Sequence, residues 1–167
     1  MIRRERDEDR SGIRLAHGLA FGRAAEANLV DALRAAGGVT LSLVAEWTGE
    51  VAGHILFSPV TVVGAHGAFP AVGLGPLAVV PGHQRRGVGA ALVRAGLSEL
   101  QSIGHEVVVV LGHPTYYPRF GFVKASTLGL RWQHEAPDEA FMALELTRGA
   151  LAGRAGVVRY RAEFDGV

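Results

Sequence analysis

Two glycines and two arginines stand together in Gln84-Arg85-Arg86-Gly87-Val88-Gly89-Ala90, after one apolar run and before another. Glycine lets a backbone approach a ligand closely and adopt angles that a side chain forbids. The first amides of a helix have no internal acceptors, and the helix dipole adds positive potential beside them. Arg85 and Arg86 bring formal charge to the same place. Such a turn suits a pyrophosphate. A Walker loop would need Gly-Lys followed by Ser or Thr, and the chain has none. The dinucleotide fingerprint G-x-G-x-x-G would put glycine at position 92, where Leu92 stands, and would open the first β-α unit. A bare G-x-G is also how an ordinary strand-to-helix turn is made.

Other residues invite acid–base chemistry. Tyr116 and Tyr117 precede Pro118-Arg119-Phe120-Gly121-Phe122. A tyrosine hydroxyl can donate a proton, or can serve only to anchor a packed ring. Glu46, His54 and His113 are candidate bases, since a base needs a group titrating near neutrality or a water leading to one. His54, Leu56 and Ser58 fall on one face of a strand. A histidine in a strand can equally be a packed core residue, so the base stays open among the three. The 7 histidines show no H-x-x-x-H spacing with a carboxylate, so no metal site is expected.

Composition narrows the class further. The chain has 167 residues, 49% hydrophobic and 20% charged, which suits one folded domain over residues 1–167 and disfavours disorder. A net charge of +1 lacks the basic excess of a nucleic-acid binder, so no nucleic-acid partner is expected. With 0 cysteines there is no disulfide scaffold, thiolate metal site or cysteine nucleophile. The charged start, Met1 to Arg10, has no apolar core of signal-peptide length, and no apolar run reaches the ~18 residues of a membrane helix. A cytoplasmic protein with no membrane partner is the expectation.

The elements around these residues form an α/β pattern. Asp9 or Ser11 can cap a helix running to about Ala20, and Leu29, Val30 and Leu33 mark a second over about 24–36, stopped by Gly37-Gly38. Val39 to Ala45 alternates as a strand, Thr48-Gly49-Glu50 turns, and the return strand runs from Val51 to about Val63. Residues 64–70 read as a loop and Val72 to Val80 as the next strand. Val88, Leu92, Val93, Leu97 and Leu100 stripe a helix closed by Gly104, and Val107 to Leu111 is a buried strand. Strand, glycine loop, helix and strand make one β-α-β unit. A short turn or helix at Tyr116 to Arg119 and a final strand at about Phe141 to Leu146 complete the pattern.

The loop resembles the signature Q/R-x-x-G-x-G/A of the GNAT acetyltransferases, matched by Gln84, Gly87 and Gly89 after the strand Leu77-Ala78-Val79-Val80-Pro81. Tyr117-Pro118-Arg119-Phe120-Gly121-Phe122 is similar to the family's Tyr-x-x-x-Gly-Phe element. Gly53-His54-Ile55-Leu56-Phe57-Ser58-Pro59, Leu74 to Val79, Leu111 to Phe122 and Ala140 to Leu146 resemble the bacterial YhbS-like branch, so the likeness spans at least Gly53 to Leu146. It implies the GNAT fold: a mixed, mostly antiparallel central sheet flanked by helices and splayed between strands 4 and 5. It also implies acetyl-CoA as co-substrate. Backbone groups of Leu77, Ala78 and Val79 then pair with the pantetheine arm, with Gly75-Pro76 at a bulge. The amides of Gln84, Arg85, Arg86, Gly87, Val88, Gly89 and Ala90 take the pyrophosphate.

The resemblance implies acetyl transfer to a primary amine of a small molecule or peptide. The Val79 amide is the candidate for polarising the thioester carbonyl, and Tyr117 the candidate for protonating the departing thiolate. A CoA-binding sensor of the same fold without turnover is the alternative. The acceptor is not legible, and the sheet edges and C-terminal tail are compatible with a homodimer.

Overall fold

Alternating apolar residues in the first part of the chain build an antiparallel meander. In the computed structural model, which describes residues Met1–Val167, β1 (Ile2–Arg4), β2 (Leu41–Trp47) and β3 (Glu50–Gly64) pair antiparallel. Ile2 faces Ala45 and Leu41 faces Phe57, with a register shift between Ala45 and Glu46. Thr48 and Gly49 both have positive φ, 50° and 81°, the mirror-image turn whose twist suits a two-residue hairpin. Between β1 and β2 lie α1 (Arg10–Phe21), closed by Gly22 at φ 68°, and α2 (Ala25–Ala35). Asp9 stands at the start of α1 as expected, but its carboxylate caps no amide of that helix. It accepts instead from the Arg6 amide at 2.6 Å and from Arg3 at 2.7 and 2.9 Å.

The chain gathers into two units, and β3, β4 (Gly67–Val79) and α3 (Val88–Ser102) each run through both. The first unit holds Met1–Ser58, Gly75–Ser98 and Ala162–Val167. Its core joins Ile13, Leu29, Val30 and Leu33 of the early helices to Val44 and Leu56 of the strands. Each fully buried Leu is worth about 1.5–3 kcal/mol over exposure. On α3, Val88 and Leu92 sit against Gly53, and a Cβ added to Gly96 would strike the Phe57 ring. Residues 53 and 57 alternate with 54 and 56, so α3 and the α1–α2 pair cover opposite faces of this part of the sheet.

The second unit holds Pro59–Leu74 and Glu99–Arg161. Its centre is β5 (Val107–Leu111), whose four valines are all buried, as a strand covered on both faces requires. β5 pairs parallel with β4 at Val72↔Val108 and Gly73↔Val109, and antiparallel with β8 (Phe141–Glu145), which also carries β6 (Val123–Lys124). The parallel register covers only those two residue pairs, while β4 continues to Val79. The full strand order is β1-β2-β3-β4-β5-β8-β6, a mixed and open sheet.

Several boundaries differ from the sequence reading. Residues 64–70 are not a loop: β3 reaches Gly64, β4 starts at Gly67, and only Ala65 and His66 turn between them. Two strands that the sequence reading did not name, β7 (Leu130–Trp132) and β9 (Gly156–Arg159), pair parallel with each other, so Phe141–Glu145 is not the final strand. β9 also pairs with Thr61 to Val63. That pairing explains the length of β3, because ladder partners satisfy backbone groups that local sequence leaves undecided. Gly75 has φ 132° and precedes a cis bond to Pro76.

Candidate functional site

The glycine loop lies in the first unit, between the end of β4 and α3. The first bond that ties α3 to it runs from the Ala91 amide to the Gly87 carbonyl, at 2.9 Å. The amides of Val88, Gly89 and Ala90 precede it and so belong to the helix's unpaired first turn. Arg85 and Gly87 take φ of 62° and 80°, the left-handed region that turns the chain sharply into the helix. Glycine is at home there; Arg85 is held against its preference. Gln84 Nε2 donates to the Val79 carbonyl at 3.0 Å, which fastens the loop to the last residue of β4. Arg85 and Arg86 are exposed, so their charges stand in solvent at the loop. Arg86, Gly87 and Val88 also border a cavity of about 430 Å³ that Trp47, Ala52 and His83 help to line.

The adjoining strand residues alternate as a half-covered strand must. Ala78 is buried, while Leu77 and Val79 are only half-buried. The Ala78 carbonyl lies against Gly53, where an added Cβ would stand 3.1 Å from it. Val80 donates to the Ala52 carbonyl at 2.9 Å, so the tip of β4 is tied on that side. The loop and the strand end are one local construction, consistent with a cradle for a pyrophosphate and the chain that leads from it.

Tyr117 belongs to the second unit, at the start of a short 3-10 turn over Tyr117–Phe120 that Gly121 ends at φ 97°. Its ring is 8% exposed and edge-packed with Tyr116 and Phe122 at 5.1 and 5.8 Å. A Cβ on Gly112 would lie 2.5 Å from that ring, so the residue at 112 has to be glycine for Tyr117 to sit here. Burial, helped by Tyr116, pushes the hydroxyl up to about 12, and the side chain keeps its proton across the physiological range. Tyr116 is less buried and carries the Arg119 guanidinium over its face at 4.5 Å.

The three candidate bases separate in the structure. His113 is exposed, and its carbonyl serves the Tyr116 and Tyr117 amides at 3.1 and 3.4 Å. Glu46 is engaged by Arg3 at 3.0 Å. His54 is wholly buried in the first unit and joined to residues that the sequence reading passed over. Its Nδ1 faces His17 Nε2 at 2.8 Å, its Nε2 faces Ser42 Oγ at 2.7 Å, and the Ser42 hydroxyl donates to Glu5. Glu5 in turn accepts from Arg34 at 2.8 and 3.1 Å. Burial pushes His17 down to about 4, opposed by the Glu26 carboxylate, and holds His54 well below its ordinary value, with His17 and Arg34 adding to the effect. Both imidazoles are therefore neutral near pH 7. Ser58, on the same strand face as His54, is buried with no partner for its Oγ. One sequence signal did point to His17: it follows Ile13 by four residues, on the buried side of α1.

A larger cleft of about 670 Å³ in the second unit is lined by Arg131, Trp132, Glu135 and Asp138 among others, and includes none of the expected site residues. No group of three or more His, Asp or Glu gathers as a metal site, and no helix is long and apolar enough to cross a membrane.

Known proteins resemble this chain over most of its length. A family model described as an acetyltransferase (GNAT) domain matches residues 1–125. The chain is 39% identical over 166 residues to the uncharacterized N-acetyltransferase YhbS of Escherichia coli, covering 99% of this chain and 98% of that one. The crystal structure of Escherichia coli YhbS in complex with CoA superposes with a TM-score of 0.93 over 98% of this chain and 91% of that chain. A GNAT acetyltransferase from Brucella melitensis, solved with acetyl-CoA, gives a TM-score of 0.82 at 39% identity, over 99% and 97% of the two chains.

Proposed function

We propose that this protein, which belongs to the GNAT acetyltransferase family, transfers the acetyl group of acetyl-CoA to a primary amine. Residues 1–167 act as one catalytic domain. The observation that carries this reading is the loop from Gln84 to Ala90: outward helix amides, two left-handed residues and two exposed arginines, fastened to Val79 through Gln84. It supports the loop as the pyrophosphate cradle, as does similarity to relatives solved with CoA and acetyl-CoA.

Acetyl-CoA supplies an activated thioester. The chain's own groups do the rest. The backbone of Leu77, Ala78 and Val79 aligns the pantetheine arm as an added strand would. The Val79 amide polarises the carbonyl that the amine attacks, an oxyanion-hole role that gains strength from exclusion of water. The Tyr117 hydroxyl returns a proton to the leaving thiolate; its burial and its raised pKa keep that proton in place until it is needed.

The test is steady release of free thiol from acetyl-CoA in a broad library of amines, with the acetylated product identified by mass. Sustained turnover with at least one primary amine is expected. Tight CoA binding with no turnover across the library would leave a CoA-binding sensor and refute the enzyme reading.

A further inference from the structure

The buried chain Glu5–Ser42–His54–His17 has a direction that its chemistry dictates. A carboxylate held by Arg34 has no proton to give, so the Ser42 hydroxyl must donate to Glu5. Ser42 Oγ is then left as acceptor toward His54, and the proton between them belongs to His54 Nε2. A neutral imidazole carries only one N–H, so His54 Nδ1 is a bare acceptor and His17 Nε2 must carry the proton between the two rings. By the same count, His17 Nδ1 is a lone pair. It is buried, and no protein group reaches it. Four residues, one just past β1, one each on β2 and β3 and one on α1, thus end in one unpartnered basic nitrogen, capped by the Phe21 ring, which stacks on His17 at 6.0 Å and 5°.

Resting on the amine-acetylation reading above, we propose that His17 Nδ1 takes the proton released by the acceptor ammonium, and that His54, Ser42 and Glu5 pass a proton onward to the surface. The transfer balances without a co-reactant. The ammonium N–H breaks as His17 Nδ1–H forms, and His17 Nε2–H breaks as His54 Nδ1–H forms. His54 Nε2–H then passes to Ser42 Oγ, and the Ser42 hydroxyl proton passes to the Glu5 carboxylate, which is partly open to solvent. One proton has moved from amine to Glu5, and neither imidazole stays charged. Burial makes an isolated imidazolium costly in this place, and the relay avoids it. His17 is the residue that touches the substrate; His54, Ser42 and Glu5 are positioning residues that set its tautomer and drain its proton.

Nitrogen-15 NMR of the wild-type protein and steady-state kinetics with an amine from the library test the relay together. The expected spectrum shows His17 protonated at Nε2 and bare at Nδ1. His17→Asn should lower kcat by about 10²–10⁴-fold, and Ser42→Ala by at least about tenfold, with KM for acetyl-CoA within about twofold of wild type. Ser42→Thr, which keeps the hydroxyl, should restore most of kcat, a rescue that a packing role for the network does not predict. A proton on His17 Nδ1, or a folded Ser42→Ala protein with wild-type kcat, overturns the relay and leaves acetyl transfer standing. If Ser42→Ala does not fold, the wild-type nitrogen shifts decide the matter. A wild-type protein that acetylates no amine refutes the proposed function, and the role of His17 falls with it.

Discussion

Replacing Tyr117 with phenylalanine removes one oxygen and keeps a ring that packs against Gly112, Tyr116 and Phe122. The ring's contacts survive, so the cost in stability should be small, about 1 kcal/mol at most for a lost hydroxyl. Catalysis should suffer far more. A general acid contributes ~10²–10⁴-fold, which corresponds to about 2.7–5.4 kcal/mol on the barrier. The hydroxyl's rise from 10.0 to about 12 favours the phenol over the phenolate by about 2.7 kcal/mol, so the group is protonated whenever the enzyme works. That rise has its own signature. A raised folded-state pKa gives stability that is complete below pH 10 and is lost as pH climbs from about 10 toward 12. The phenylalanine protein should lose Tyr117's share of that alkaline slope, with Tyr160, also raised by burial, keeping the rest. Single-turnover acetyl transfer, urea unfolding at pH 7 and 10.5, and CoA titration separate the effects. A folded Tyr117→Phe protein with wild-type kcat would refute the proton-donor assignment.

Three more outcomes follow from the geometry. Gly89→Glu should abolish CoA binding in a folded protein, because a carboxylate at the first helical turn occupies the place of the phosphates and repels them; calorimetry showing unchanged affinity would remove the cradle. Gly96→Ala should destabilise by roughly 1–3 kcal/mol, since its methyl meets the Phe57 ring in a closed core, and a midpoint in urea equal to wild type would show that α3 shifts freely. His17 binds its proton at about 4 when folded and at 6.5 when unfolded, so the unfolded chain takes up protons first as pH falls. Stability should drop between about pH 6.5 and 4, by up to about 3 kcal/mol from His17 alone, with His54 acting in the same direction. Unfolding curves that coincide at pH 7 and 4.5 would contradict the buried neutral pair.

Local chemistry was legible wherever a few neighbouring residues decide the backbone. The Thr48-Gly49 turn, the helix opened by Val88 and closed near Gly104, and the short turn at Tyr117–Phe120 all stand where propensity and spacing put them. The same holds for the glycine loop, because helix amides, glycine freedom and arginine charge are properties of one contiguous segment. Family likeness then adds what spacing cannot, the CoA and acetyl-CoA with which relatives were solved.

Long-range pairing decided the rest. Nothing near Gly64 announces that β3 must extend, because its partner β9 lies about ninety residues downstream. The parallel β7–β9 pair is built from two short strands whose own sequences are undecided between strand and loop. His54 was visible as a titratable residue in a strand, but its meaning depends on Glu5, His17 and Ser42, which sit on other elements and share no short spacing with it. A hydrogen-bond direction exists only once donors and acceptors are counted in space. The sequence by itself determined the helices, the Thr48-Gly49 turn and the glycine loop; the tertiary structure alone decided which buried nitrogen was left with a lone pair, because that depends on which side chains folding carries out of water together.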